Sequence, residues 1–141
     1  MLSRQKAAEI YSMYTGETVV AADTVVVIDG LILGKPRDKE DAAAMLRRLS
    51  GREHFVYTGV CVIFPDGSMS SFAEETVVEF LQLTEQEIAD YIATDEPMDK
   101  AGAYGIQGKG ALLVKRISGD YYNVMGLPIA RLNREIQARQ S

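Results

Sequence analysis

A chain of 141 residues, 47% hydrophobic and 25% charged, has the size and make-up of one ordinary globular domain, large enough to bury a core without disulfides or a structural metal. Its formal net charge of −5 and pI near 4.9 disfavour general nucleic-acid binding, because a surface of that sign repels a phosphate backbone unless basic residues gather locally. The charged start Met1–Lys6 leads into no apolar h-region and nowhere do eighteen apolar residues run together, so the sequence reads as a cytoplasmic protein with no membrane span.

In chain order, Ala7, Ala8, Ile10 and Tyr11 stand at helical spacing and predict a helix over Ser3–Tyr14 that stops at Gly16. Thr18–Ile28 is a nearly unbroken β-branched run that predicts a strand covered on both faces, interrupted by one carboxylate, Asp23. Asp29-Gly30 is a tight-turn pair, Leu31–Leu33 a short returning strand, and Gly34-Lys35-Pro36 breaks the pattern. Asp38 can cap a helix through Leu49, ended by Gly51. Residues 54–64 and 69–81 are two β-type runs joined by Pro65-Asp66-Gly67-Ser68, which predicts a hairpin. The only cysteine, Cys61, lies in the apolar run Val60–Phe64 and reads as a small buried hydrophobe, consistent with a reducing compartment. Thr84–Glu87 is a capping box ahead of a helix to about Thr94, ended by Glu96-Pro97. A glycine-rich loop over 102–110, a strand Ala111–Ile117, the turn Ser118-Gly119-Asp120 and a helix after Gly126-Leu127-Pro128 complete the chain. The sum is a single α/β domain over residues 1–141 with a mixed sheet.

Asp23 is the sharpest anomaly. A carboxylate inside an apolar strand carries a desolvation cost, so it is either a metal ligand or general base at the rim of the sheet, or a residue that caps a bulge or pairs with a lysine. A hairpin of about a dozen residues returns Lys35 toward Asp23, where it could neutralise phosphate oxygens. A few lysines and a divalent metal outweigh a diffuse negative field at close range, so a small polyphosphate is an admissible partner. The glycines of 102–110 let backbone N–H groups approach a ligand, although no Walker or Gly-x-Gly-x-x-Gly pattern fits, and Gln107 can donate and accept as base-edge reading requires. His54, the only histidine, has no partner spacing for a triad or metal cluster and reads as a strand or surface residue. Tyr121 and Tyr122 read as turn and core packing rather than a stacking platform.

Together, Ala-Asp-Thr at 22–24, Gly-Lys-Pro at 34–36, Met45–Arg52 before His54, Asp99–Gly108 and Gly126-Leu127-Pro128 resemble, in order and over nearly the whole length, the Maf family of nucleoside triphosphate pyrophosphatases. The form Asp-Lys-Ala-Gly-Ala-Tyr-Gly-Ile-Gln-Gly is similar to the branch acting on dTTP and UTP. The resemblance implies a Maf/inosine-triphosphate-pyrophosphatase-like fold, with a mixed twisted sheet flanked by helices, a divalent cation (Mg2+ or Mn2+), and a homodimer. It also implies that Asp23 is the proton acceptor and part of the metal site. Thr24 and Gln107 would contribute to substrate selection, and Lys35 and Lys6 would line the phosphate path, with Lys100 a weaker candidate. Family members begin with a strand leading into Ser-x-Ser-Pro-Arg-Arg and later supply a glutamate. This chain has neither, which reads as an N-terminal truncation relative to the family. A non-catalytic nucleotide-binding or interaction fragment is therefore the second expectation, and a bare edge on the Thr18–Ile28 strand that favours self-association is the third.

Overall fold

The computed structural model describes residues 18–140; the helix expected over Ser3–Tyr14, with Lys6, lies outside them. The elements in order are β1 (Val19–Ile28), β2 (Leu31–Leu33), α1 (Lys39–Leu49), β3 (Glu53–Ile63), β4 (Met69–Phe80), α2 (Glu85–Ile92), β5 (Val114–Ser118), α3 (Tyr121–Val124) and α4 (Ile129–Gln140). Three 3-10 turns, Glu96–Asp99, Ala101–Ala103 and Lys109–Leu113, fill the stretch between α2 and β5. The strands form one sheet in the order β2-β1-β3-β4-β5. A mixed sheet is the expectation, but each of the four pairings among the described residues is antiparallel.

Local chemistry explains the boundaries. Asp29 and Gly30 both have positive φ, 54° and 75°, the geometry of a two-residue turn whose twist matches the flanking strands. Asp38 accepts from the Asp41 N–H at 2.8 Å and starts α1. Thr84 and Glu87 close the capping box of α2 reciprocally, at 3.1 and 2.9 Å. The β3–β4 hairpin turns through Gly67 at φ 85°, and its Asp66 accepts from the Ser68 N–H. One expected strand starts later than its residues suggest. Ala111–Leu113 belong to a 3-10 turn and the ladder begins at Val114, because the Gly110 N–H is held by Glu96 and the Ala111 N–H by the Gly108 carbonyl.

Directly opposed residues share a face, so Thr24 and Val26 of β1 lie beside Thr58 and Val56 of β3. That face carries the main core. At one end Leu46, Leu49, Ile88, Tyr91 and Ile92 from α1 and α2 cover Val26, Val56, Val78 and Phe80. At the other, Leu132 and Ile136 of α4 pack on Val60, Val62, Phe64 and Phe72. On the opposite face a smaller cluster joins Val19 and Ala21 to Cys61 and Ile63, and Cys61 is buried as expected. β2 pairs only with Val26–Ile28. Toward Asp23 the outer edge of β1 is therefore not covered by any described strand. No helix among the described residues is long and apolar enough to cross a membrane.

Candidate active site

Between the two helix-covered ends of the sheet lies a cleft of about 600 Å³, within the roughly 300–1,000 Å³ usual for small-ligand sites. Its floor is Ala22–Val26 of β1, one wall is the Gly34-Lys35 loop with residues 99–108, and the other is Val124–Gly126. The cleft wraps round the edge of β1 where β2 has ended. This brings Asp23 and Thr24, which point to opposite faces, into one space.

Asp23 is half-buried and stands opposite Gly59, which has no side chain to crowd it. Asp23 lines the open cleft, and exposure there lessens the desolvation cost expected of a carboxylate in this apolar run. Lys35 lines the same cleft, as the hairpin length predicts. The Asp99 carboxyl is held below its ordinary range first by its hydrogen bond to Lys100 and, among smaller effects, by the positive charge of Lys35. Gln107 is exposed at the cleft wall and Lys100 also lines it. Asp23, Thr24, Lys35, Lys100 and Gln107 are thus brought together; Lys6 is outside the described residues.

The glycine loop is braced from several sides. Gly102, at φ 71°, donates its N–H to the Gly34 carbonyl at 3.0 Å, joining the two halves of one wall. A Cβ there would meet Val26 Cγ2 at 2.8 Å, so only glycine lets the loop lie this close to β1. The Gly105 N–H donates to the Tyr91 hydroxyl at 2.9 Å. The Glu96 carboxylate accepts from the Lys109 N–H at 3.1 Å and the Gly110 N–H at 2.9 Å. A Cβ on Gly108 would overlap that carboxylate. Burial pushes the Glu96 acid upward, but the Tyr91 hydroxyl, the two N–H donors and the Lys100 charge outweigh it and hold the group below its ordinary value.

His54 lies on a strand, as expected, and is fully buried rather than at the surface. Its Nε2 is 2.6 Å from the Tyr104 hydroxyl, and both rings meet Phe80 edge-on. Burial lowers its pKa to about 4 and raises that of Tyr104, so both are neutral at physiological pH. The pair anchors the loop three residues before Gln107. Tyr121 and Tyr122 are not core residues: they sit on α3 and are 43% and 48% exposed, because α3 docks through Asn123 instead. Asn123 is fully buried and its Nδ2 donates to the carbonyls of Val56 and Glu74 and to the Thr76 hydroxyl. Sequence reasoning missed Tyr91, Glu96, Thr58 and Asn123. Glu96 reads there as a helix end, and the other three carry no motif.

Among the described residues no group of three or more His, Cys, Asp or Glu side chains is arranged to hold a metal ion. Magnesium commonly binds through one or two carboxylates, with waters and substrate phosphates completing its shell. Asp23, open to the cleft, fits that mode: a cation shared with a polyphosphate, not a cage made by the protein alone.

The carboxylates of Asp23, Glu96 and Asp99, the amines of Lys35 and Lys100 and a braced glycine loop line a concave, partly apolar cleft of a size suited to a small ligand. The model of the Maf-like protein family matches residues 1–139, and the chain belongs to that family. It is similar to the dTTP/UTP pyrophosphatase of Geobacillus sp. (strain WCH70), 58% identical over 137 residues, which is 97% of this chain and 73% of that protein. The dTTP/UTP pyrophosphatase of Carboxydothermus hydrogenoformans is 56% identical over 96% of this chain and 74% of its own length. That of Bacillus cytotoxicus is 53% identical, over 96% and 71%.

Proposed function

We propose that the chain is a nucleoside triphosphate pyrophosphatase that hydrolyses dTTP and UTP to the monophosphate and diphosphate. The observation that carries this is the 58% identity to a dTTP/UTP pyrophosphatase over 97% of the chain; the cleft lined by Asp23, Thr24, Lys35 and Gln107 supports it. In this reading a water attacks the α-phosphorus, its proton passes to the Asp23 carboxylate, and the bond from the α-phosphorus to the α–β bridging oxygen breaks with loss of diphosphate. Lys35, with Lys100 nearby, neutralises charge spreading over the phosphoryl oxygens. Lys6 is proposed for the same phosphate path. Thr24 and Gln107 read the base. A divalent cation, magnesium or manganese, held by Asp23 together with phosphate oxygens, would supply charge neutralisation on the triphosphate.

A panel of nucleoside triphosphates, with products separated by ion chromatography, tests the reading. UMP and dTMP with diphosphate, dependent on added magnesium or manganese, are the expected products. Turnover of purine nucleotides alone, or orthophosphate as the sole primary product, overturns it. Binding of UTP without turnover would instead make the chain a nucleotide-binding module. A cytoplasmic location and a homodimer belong to the same proposal, and light scattering checks the latter.

A further inference from the structure

Thr58 carries no motif, is fully buried and does not line the cleft, yet its hydroxyl decides what Thr24 can do. Its Oγ1 donates to the Asn123 backbone carbonyl at 3.0 Å, and a carbonyl can only accept. A threonine hydroxyl has one proton, so that proton is committed. The 2.8 Å contact between the Thr24 and Thr58 hydroxyls therefore has one permitted polarity: Thr24 donates and Thr58 accepts. With its single proton turned into the sheet, Thr24 has only lone pairs left for the cleft it lines. The relay is held at its far end, since the two amide protons of Asn123 Nδ2 are shared among the Val56 and Glu74 carbonyls and the Thr76 hydroxyl.

From this relay we propose that Thr58 is a specificity-setting positioning residue, which fixes Thr24 as an obligate acceptor toward the base. The proposal rests on the pyrimidine triphosphate reading above and adds the chemistry of discrimination. Uracil and thymine carry an N–H at N3, whereas the cytosine N3 is an acceptor. Gln107 cannot make this distinction, because its amide can turn over and present either a donor or an acceptor. A reader of fixed polarity is needed, and the Thr24–Thr58–Asn123 chain supplies one. A cytosine N3 would meet lone pairs with no proton between them, and a buried pairing that cannot form is a strong basis for rejection.

The test compares T58V, T58A and T58S with the wild type, measuring both turnover and calorimetric affinity for UTP and CTP. Removing the Thr58 acceptor in T58V or T58A frees the Thr24 proton to face the cleft. The UTP-over-CTP preference should then fall about tenfold, the size of one net hydrogen bond, mainly through gained CTP affinity. T58S keeps the hydroxyl and should keep the preference. In a T24V background, adding T58V should leave the UTP-to-CTP ratio unchanged, which a merely structural role for Thr58 would not require. A preference kept in both T58V and T58A, or lost equally in T58S, overturns the proposal. If T58V does not fold, T58A and T58S decide it alone. Wild-type protein that binds UTP over CTP without turnover overturns the proposed hydrolysis but leaves this inference to its affinities. Equal wild-type affinity for UTP and CTP overturns the inference even where hydrolysis is seen.

Discussion

Acid should destabilise this fold first through His54. In the folded chain burial holds the imidazole pKa at about 4, against an ordinary value of 6.5. Between those two values the unfolded chain binds a proton that the folded chain refuses. Stability is thus complete above pH 6.5 and is lost progressively as pH falls toward about 4. At roughly 1.4 kcal/mol per pH unit, the gap amounts to about 3 kcal/mol. That is a large share of the roughly 5–15 kcal/mol that holds a domain together. His54 is the only histidine, and no other side-chain type has its ordinary pKa in the upper half of that window. Urea unfolding at a series of pH values from about 8 down to about 5 should show the slope in the wild type. H54Q keeps a hydrogen-bonding group for the Tyr104 hydroxyl but cannot titrate; it should be less stable at neutral pH by about 1–3 kcal/mol and nearly flat across the series. Equal slopes in the two proteins would refute the assignment of this linkage to His54.

Three other expectations follow from the site. D23N should lower UTP turnover by at least about a hundredfold with an unchanged circular dichroism spectrum and melt, as fits loss of a proton acceptor; retained metal-dependent activity would return Asp23 to a structural role. Gly102→Ala combines a positive φ with a Cβ 2.8 Å from Val26, so it should cost about 2–4 kcal/mol in urea unfolding. Gly30→Ala has a similar φ of 75° and nothing within 4 Å, and should cost only the backbone part, about 1 kcal/mol; equal losses at the two sites would disprove the packing half of the reasoning. E96A strips the acceptor from the Lys109 and Gly110 N–H groups, a loss of roughly 1–3 kcal/mol in loop order. It should therefore raise KM for UTP about tenfold or more with kcat little changed, and an unchanged KM would show that the loop keeps its shape without the clamp.

How much of this was legible in the residues depends on whether a feature is local. The β-branched run through Ile28, the Asp29-Gly30 turn, the Asp38 cap and the Thr84 capping box are written within a few positions, and the structure has each where its residues predict. Asp23 and Lys35 could be placed in one cleft because a hairpin of known length fixes their approach. The start of β5 could not be placed, since Ala111–Leu113 have ordinary strand composition and are kept out of the ladder by Glu96, some fifteen positions earlier. Tyr121 and Tyr122 misled in the same way. Their apolar bulk suggests burial, but the residue that docks α3 is the small polar Asn123 between them and Val124, whose amide satisfies two sheet carbonyls.

The hidden layer of the site is thus built from polar side chains with unremarkable neighbours in sequence. Tyr91 and Glu96 brace the loop from the end of α2, His54 and Tyr104 pin it to the sheet, and Thr58 and Asn123 orient Thr24 from beneath. Each of these side chains is wholly or partly withdrawn from solvent, where an unmet donor or acceptor costs about 1–3 kcal/mol, so the geometry that keeps their hydrogen bonds is tightly restricted. The cleft residues Thr24 and Gln107 inherit that restriction without contributing to it. A substitution at Thr58 or Glu96 should for this reason alter ligand choice or affinity while leaving every cleft-lining side chain that would touch the nucleotide base chemically intact.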